Sequence, residues 1–68
     1  MKLIHLNGKT IKLPETVRCV QDLLQLYELE NRIVVVEVNK EIIYKEQYRE
    51  QTLSDQDTVE IVHFVGGG

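Results

Sequence analysis

The amino-acid sequence predicts an α+β domain, a mixed β-sheet packed on a single helix, and three patterns carry that prediction. Apolar and polar residues alternate on either side of an Asn7-Gly8 pair near the start of the chain. Val20, Leu23, Leu24 and Tyr27 then recur at i, i+3, i+4 and i+7, the spacing of one face of an amphipathic helix. Two β-branched stretches follow: Ile33-Val34-Val35-Val36-Glu37-Val38 and a segment from Thr58 to Val65.

In the first strand Ile4 and Leu6 share one face and Leu3 and His5 the other, as a half-buried strand requires. Asn-Gly between alternating segments is a strong hairpin signal, because a two-residue I′ turn needs positive φ at both central positions. Ile11 and Leu13 continue the buried face, with Thr10 and Lys12 outward, and Pro14 ends the hairpin. The helix is expected over residues 18–29. Two starts are open: a Thr16 N-cap, or a helix that begins after Cys19 with Asp22 near the positive end of the dipole.

Residues 33–38 form a strand with Val34, Val36 and Val38 on one face, opposite Glu37. Asn39-Lys40 is a turn candidate and Ile42-Ile43-Tyr44 a short strand. Lys45 to Glu50 is irregular or a single helical turn, and Ser54-Asp55-Gln56-Asp57 is a polar turn. The last strand puts Val59, Ile61 and His63 on one face and Glu60, Val62 and Phe64 on the other. The order is ββαβ(β)β, and the helical crossover is expected to set the strand after it parallel to the first. One sheet face is then covered by the helix. The other, carrying Val62 and Phe64 together with Val35 and Leu3, is left without cover.

A chain of 68 residues suits one compact domain, here residues 1–65, followed by a glycine tail at 66–68. No apolar run approaches the ~18 residues of a membrane span, and the polar start Met1-Lys2-Leu3-Ile4-His5 is unlike a signal peptide. A cytoplasmic location with no membrane partner is expected. The single cysteine, Cys19, forms no disulfide within the chain and reads as a small side chain near the helix start. The net charge of −3 argues against nucleic acid and favours partners with basic surfaces.

Gly66-Gly67-Gly68 follows directly on an apolar strand. Glycines pack no side chain, so stability does not account for them. Without a Cβ such a terminus can thread a narrow channel, with Gly66 and Gly67 as the flexible lead. It can bring the Gly68 α-carboxylate, ionised with a pKa of about 3.5, to a nucleotide phosphate in a partner. Attack on the α-phosphate of Mg-ATP would make an acyl-adenylate, with charge on the phosphoryl oxygens stabilised by groups the partner supplies. No cofactor is expected on the chain itself; ATP and Mg belong to the activating partner. The chain is expected to act as a protein co-substrate and not as an enzyme, with no catalytic residue of its own.

The ββαβ order around one helix with a glycine ending resembles the ubiquitin-like β-grasp fold. Within it the chain is similar to the ThiS family of sulfur carriers of bacterial thiamine biosynthesis. The resemblance rests on Val20-Gln21-Asp22-Leu23-Leu24, on Val38-Asn39-Lys40-Glu41-Ile42-Ile43, and on Val59 through Phe64 with Val65-Gly66-Gly67-Gly68. It implies adenylation of Gly68 by a ThiF-like enzyme and conversion to a thiocarboxylate with sulfur from a cysteine-derived donor system. The sulfur then goes to the thiazole synthase ThiG. Gly67 and Gly68 match the family's terminal pair. Cys19 stands where the family often has Thr, which leaves the N-cap open.

Other candidate residues have simpler roles. His5 and His63 fall short of a zinc set, and Asp55 and Asp57 lack the spacing and glycine of an EF-hand, which leaves them as turn formers. Lys40, Lys45 and Arg49 are too diffuse to hold nucleic acid. Val62 and Phe64, exposed beside the tail, form a candidate docking patch, the alternatives being burial in a dimer or by the tail. A molybdopterin-pathway sulfur carrier and a ubiquitin-like protein modifier would use the same tail.

Overall fold

The computed structural model describes residues 2–64. The 65/66 domain boundary and the glycine tail lie outside the described residues. Five strands and one α-helix follow the order β1 (Lys2–Leu6), β2 (Lys9–Leu13), α1 (Val20–Leu26), β3 (Val34–Val38), β4 (Glu41–Ile43) and β5 (Thr58–His63), with a 3₁₀ turn at Lys45–Gln47. No described helix is long and apolar enough to cross a membrane.

The two hairpins form where backbone chemistry dictates. Asn7 and Gly8 take φ of 49° and 83°, and Leu6 pairs with Lys9 across them. Asn39 and Lys40, at φ 51° and 72°, do the same between Val38 and Glu41. Both are two-residue loops with positive φ, whose twist matches that of the flanking strands.

The sheet order is β2-β1-β5-β3-β4. β1 is parallel to β5, while β3 is antiparallel to both β4 and β5. The expectation that β3 runs parallel to β1 is therefore corrected. A helical crossover makes the next strand parallel to the strand that precedes the helix, which is β2, and β2 already runs against β1. The strand parallel to β1 is β5, inserted between β1 and β3.

The helix is shorter than expected at both ends, and each end has a cause. Before it, Leu53 N–H donates to the Arg18 carbonyl at 2.9 Å and Cys19 bridges Thr52, so the backbone of residues 18 and 19 is committed to an extended pairing. Cys19, not Thr16, is the N-cap, and its side chain makes no capping bond. None is needed for the first turn. Val20 N–H donates to Gln51 O and Gln21 N–H to Tyr48 O, both at 3.0 Å, satisfying donors that helix starts leave unpaired. Asp22 reaches back to accept from Arg18 N–H at 2.9 Å.

At the other end Glu28 has φ 58°, Glu28 N–H donates to Gln25 O and Leu29 N–H to Leu24 O at 2.7 Å. These are the two bonds of a Schellman motif, with a glutamate at the position glycine usually takes. Tyr27 becomes the C-cap and is 45% exposed, so the predicted apolar stripe is buried only at Val20, Leu23 and Leu24. These pack against Ile4, Leu13, Val36, Val38, Val59 and Ile61 on the covered sheet face, with Val17, Ile43, Tyr48 and Leu53 closing the core.

The turn before β5 is tied to the start of β1. Leu3 N–H donates to Asp55 Oδ1 at 2.8 Å, Gln56 N–H to Leu3 O at 2.6 Å, and Ser54 N–H to Asp57 Oδ2 at 2.8 Å. Asp55 and Asp57 are thus turn formers, as expected. The Leu3 N–H bond holds the Asp55 carboxyl below its usual range, and the Arg18 N–H bond does the same for Asp22. A carboxyl lowered by folding stabilises the fold above the ordinary carboxyl pKa of about 4, and that contribution is lost as pH falls through the lowered value. The urea midpoint is therefore expected to fall steadily from about pH 4 downward. The double variant Asp22→Asn/Asp55→Asn, titrated in parallel, should show a shallower decline.

Candidate functional site: the open sheet face beside the carboxyl terminus

Alternation along β5 sends Val59 and Ile61 into the core and Val62 and Phe64 to the opposite face, where they are 55% and 58% exposed. The antiparallel register sets Val62 directly opposite Val35, and Phe64 N–H donates to Ile33 O at 3.2 Å, which continues the same register by one pair. Two apolar cross-strand pairs, Val62–Val35 and Phe64–Ile33, therefore stand side by side at the end of the sheet that Phe64 reaches. Ile42 faces the same way from β4, opposite Glu37, and Tyr44 follows two residues on, just past the end of β4. Ile33, Ile42 and Tyr44 are 76%, 52% and 63% exposed. This is a contiguous apolar surface in water, the kind that marks a docking site.

Leu3, expected on this patch, is not part of it. β1 pairs with β5 through His5↔Thr58 and Leu6↔Val59, so Leu3 lies level with the turn before β5, at the far end of that strand from Val62. Ile33, Ile42 and Tyr44 take its place. They were hidden in the sequence because only the β3–β4 and β3–β5 registers show which residues share a level.

Toward the middle of the sheet the character changes. Glu37 and Glu60 are directly opposite each other on the open face. Like charges in that arrangement destabilise a strand pair, and a cation from a partner would relieve the cost. The face thus grades from acidic at mid-sheet to apolar around Phe64.

The remaining candidates have local partners. His5 Nδ1 lies 3.1 Å from Thr10 Oγ1 and its Nε2 lies 3.2 Å from Gln56 Oε1, a surface network across β1, β2 and the turn before β5. His63 is on the covered side, and its Nε2 is buried with no hydrogen-bond partner among the described residues. It lines a groove of about 550 Å³ between the hairpin tip and the end of α1, together with Leu6, Asn7, Ile11, Tyr27 and Ile61. Among the described residues no group of three His, Cys, Asp or Glu could hold a metal ion. Gly66, Gly67 and Gly68 lie outside the described residues.

A mixed five-stranded sheet in the order β2-β1-β5-β3-β4, folded over one helix, defines the chain as a ubiquitin-like β-grasp domain. Its relatives narrow the class. The family model for ThiS matches residues 3–68. The chain is 58% identical to the sulfur carrier protein ThiS of Bacillus subtilis over 66 residues, covering 97% of this chain and all of that one. The crystal structure of the thiamine biosynthesis protein ThiS from Geobacter metallireducens superposes with a TM-score of 0.80 at 31% identity, covering 97% of this chain and 99% of that one. A thiazole synthase of Paramagnetospirillum magneticum is 38% identical over 68 residues, all of this chain but 20% of that longer protein. The chain belongs to the ThiS family, the sulfur carriers of thiamine biosynthesis.

Proposed function

We propose that the chain carries sulfur as a thiocarboxylate on Gly68. In this reading a ThiF-like enzyme binds the apolar end of the open face through Val62 and Phe64. Gly66 and Gly67 pass into its nucleotide site. A Gly68 carboxylate oxygen attacks the α-phosphorus of ATP, pyrophosphate leaves, and the partner's metal and cationic groups take up the charge that develops on the phosphoryl oxygens. Sulfur at the sulfide level, supplied by a cysteine-derived donor system, then attacks the acyl carbon; the C–S bond forms as the C–O bond to AMP breaks, and AMP leaves. Thiazole synthase receives the sulfur, a partnership suggested by the synthase sequence in which a homologue of this chain is one part of a longer protein.

The observation that carries the reading is the paired apolar surface Val62–Val35 and Phe64–Ile33 at the foot of a glycine terminus, in a chain of the ThiS family. Its test is mass spectrometry after incubation with ATP, Mg²⁺, a ThiF-type enzyme and a sulfur source. Exchange of one oxygen for sulfur at the C-terminus is the expected result. Conjugates on lysines would mean a protein modifier instead, and co-purification with a molybdopterin synthase would mean the other carrier pathway.

Docking through Phe64 makes a separate prediction. A buried aromatic anchor in an interface is worth about 2 kcal/mol, or roughly thirtyfold in affinity. Phe64→Ala is expected to raise the KM for adenylation by about that factor. Because Phe64 is more than half exposed in the free protein, the melting temperature should hardly change. Adenylation of this variant with wild-type kinetics would remove the docking role.

A further inference from the structure

β1 ends at Leu6, but β5 runs on toward the carboxyl terminus, so the main-chain groups of β5 that face β1 lose their neighbouring strand at Ile61. Asn7 replaces it. Its own N–H donates to Val59 O at 2.9 Å. Its side-chain Oδ1 accepts from Ile61 N–H at 2.8 Å, and Nδ2 donates to Ile61 O at 3.1 Å. The amide therefore presents one acceptor and one donor to a single residue of β5, as a flanking strand would. Through Ile61, β5 is held from both sides. After it, among the described residues, Val62 and His63 pair with β3 alone, and Phe64 N–H donates to Ile33 O, just before β3.

We propose that Asn7 is a positioning residue for the end of β5: its side-chain amide fixes that end, so that Val62 and Phe64 are presented in one arrangement. The proposal rests on the carrier reading, in which those residues meet the activating enzyme. A loosened β5 end divides the free protein between competent and incompetent arrangements, and the apparent affinity falls by the competent fraction. Once the competent form is bound, chemistry proceeds as before. The loss therefore belongs in KM and not in kcat.

Asn7 also holds φ 49° in the turn, so the test must separate the turn from the amide. Asn7→Gly does so, since glycine accepts positive φ without cost and carries no amide. Asn7→Asp is the second variant: it tolerates the same φ and keeps the acceptor, but sets a carboxylate oxygen against Ile61 O. Amide hydrogen exchange of the free proteins is measured first. In either variant the Ile61 and Phe64 amides are expected to exchange roughly tenfold faster, with those of α1 and of the β3–β4 hairpin unchanged, as for a local opening. Steady-state adenylation of the folded variants should then show KM raised about fivefold with kcat unaltered.

Wild-type exchange at Ile61 and Phe64 in Asn7→Gly overturns the proposal, because only the turn conformation would then matter. Uniform acceleration across all elements overturns it too, since Asn7 would merely stabilise the fold. So does local acceleration with an unchanged KM. A wild-type chain that the enzyme does not adenylate overturns the carrier reading and the positioning role with it. That failure is distinguishable, because the exchange rates of the free proteins are measured without the enzyme.

Discussion

Removal of Gly67 and Gly68 is expected to lower pyrophosphate release by at least ~10³-fold in the presence of ATP, Mg²⁺ and the activating enzyme, with the thermal unfolding curve unchanged. Each residue of extended chain spans about 3.5 Å, so the shortened terminus would end roughly 7 Å from where Gly68 should meet the α-phosphorus. Reaction needs the attacking oxygen within about 3–3.5 Å, and a misplacement of even 1 Å can cost on the order of a hundredfold. Every buried apolar side chain of the described core lies at or before Ile61. A truncated chain adenylated within tenfold of the full-length rate would show that activation does not need the Gly68 carboxylate.

Much of this site is legible from residue order alone, and the parts that are not share a cause. Local chemistry is readable: Asn7-Gly8 and Asn39 are residues that positive-φ turns prefer, although Lys40 is not, and alternation along β5 separates Ile61 from Val62 without any knowledge of neighbours. What depends on a distant segment is not. The helix start was decided at residues 51–53, whose backbone bonds engage residues 18–20. Its end was decided by a left-handed Glu28, for which glutamate gives no warning. Leu3 and Ile33 both look like candidates for the open face, and only the register through β5 places Ile33 beside Phe64 and Leu3 at the opposite end. The second role of Asn7 was invisible for the same reason, since its amide bonds to a residue 54 positions away. The turn signal that makes Asn7 conspicuous gives no hint of the strand it supports.

Leu23→Ala is expected to leave the domain largely unfolded at 37 °C, and Leu26→Ala is its control. The two leucines are three residues apart on α1, but Leu23 has no exposed surface whereas Leu26 is 47% exposed. Truncating a fully buried leucine costs about 3 kcal/mol, from lost transfer free energy and from the cavity left behind. A domain of this size has only ~3–5 kcal/mol from its core, so one such loss removes most of its stability. The covered face offers little means of collapse into the gap, because Ile4, Val36 and Val59 of the same cluster are themselves fully buried on the sheet. Urea unfolding followed by far-ultraviolet circular dichroism would show the Leu23→Ala midpoint close to zero denaturant, with Leu26→Ala within about 0.5 kcal/mol of wild type. Equal losses in both variants would mean that the apolar stripe of α1 extends to Leu26. If the chain carries sulfur as proposed, Leu23→Ala should also fail as a carrier at 37 °C, since unfolding removes β5 and its docking residues. Adenylation should return on cooling, as the folded fraction recovers, whereas the glycine truncation should stay inactive at every temperature.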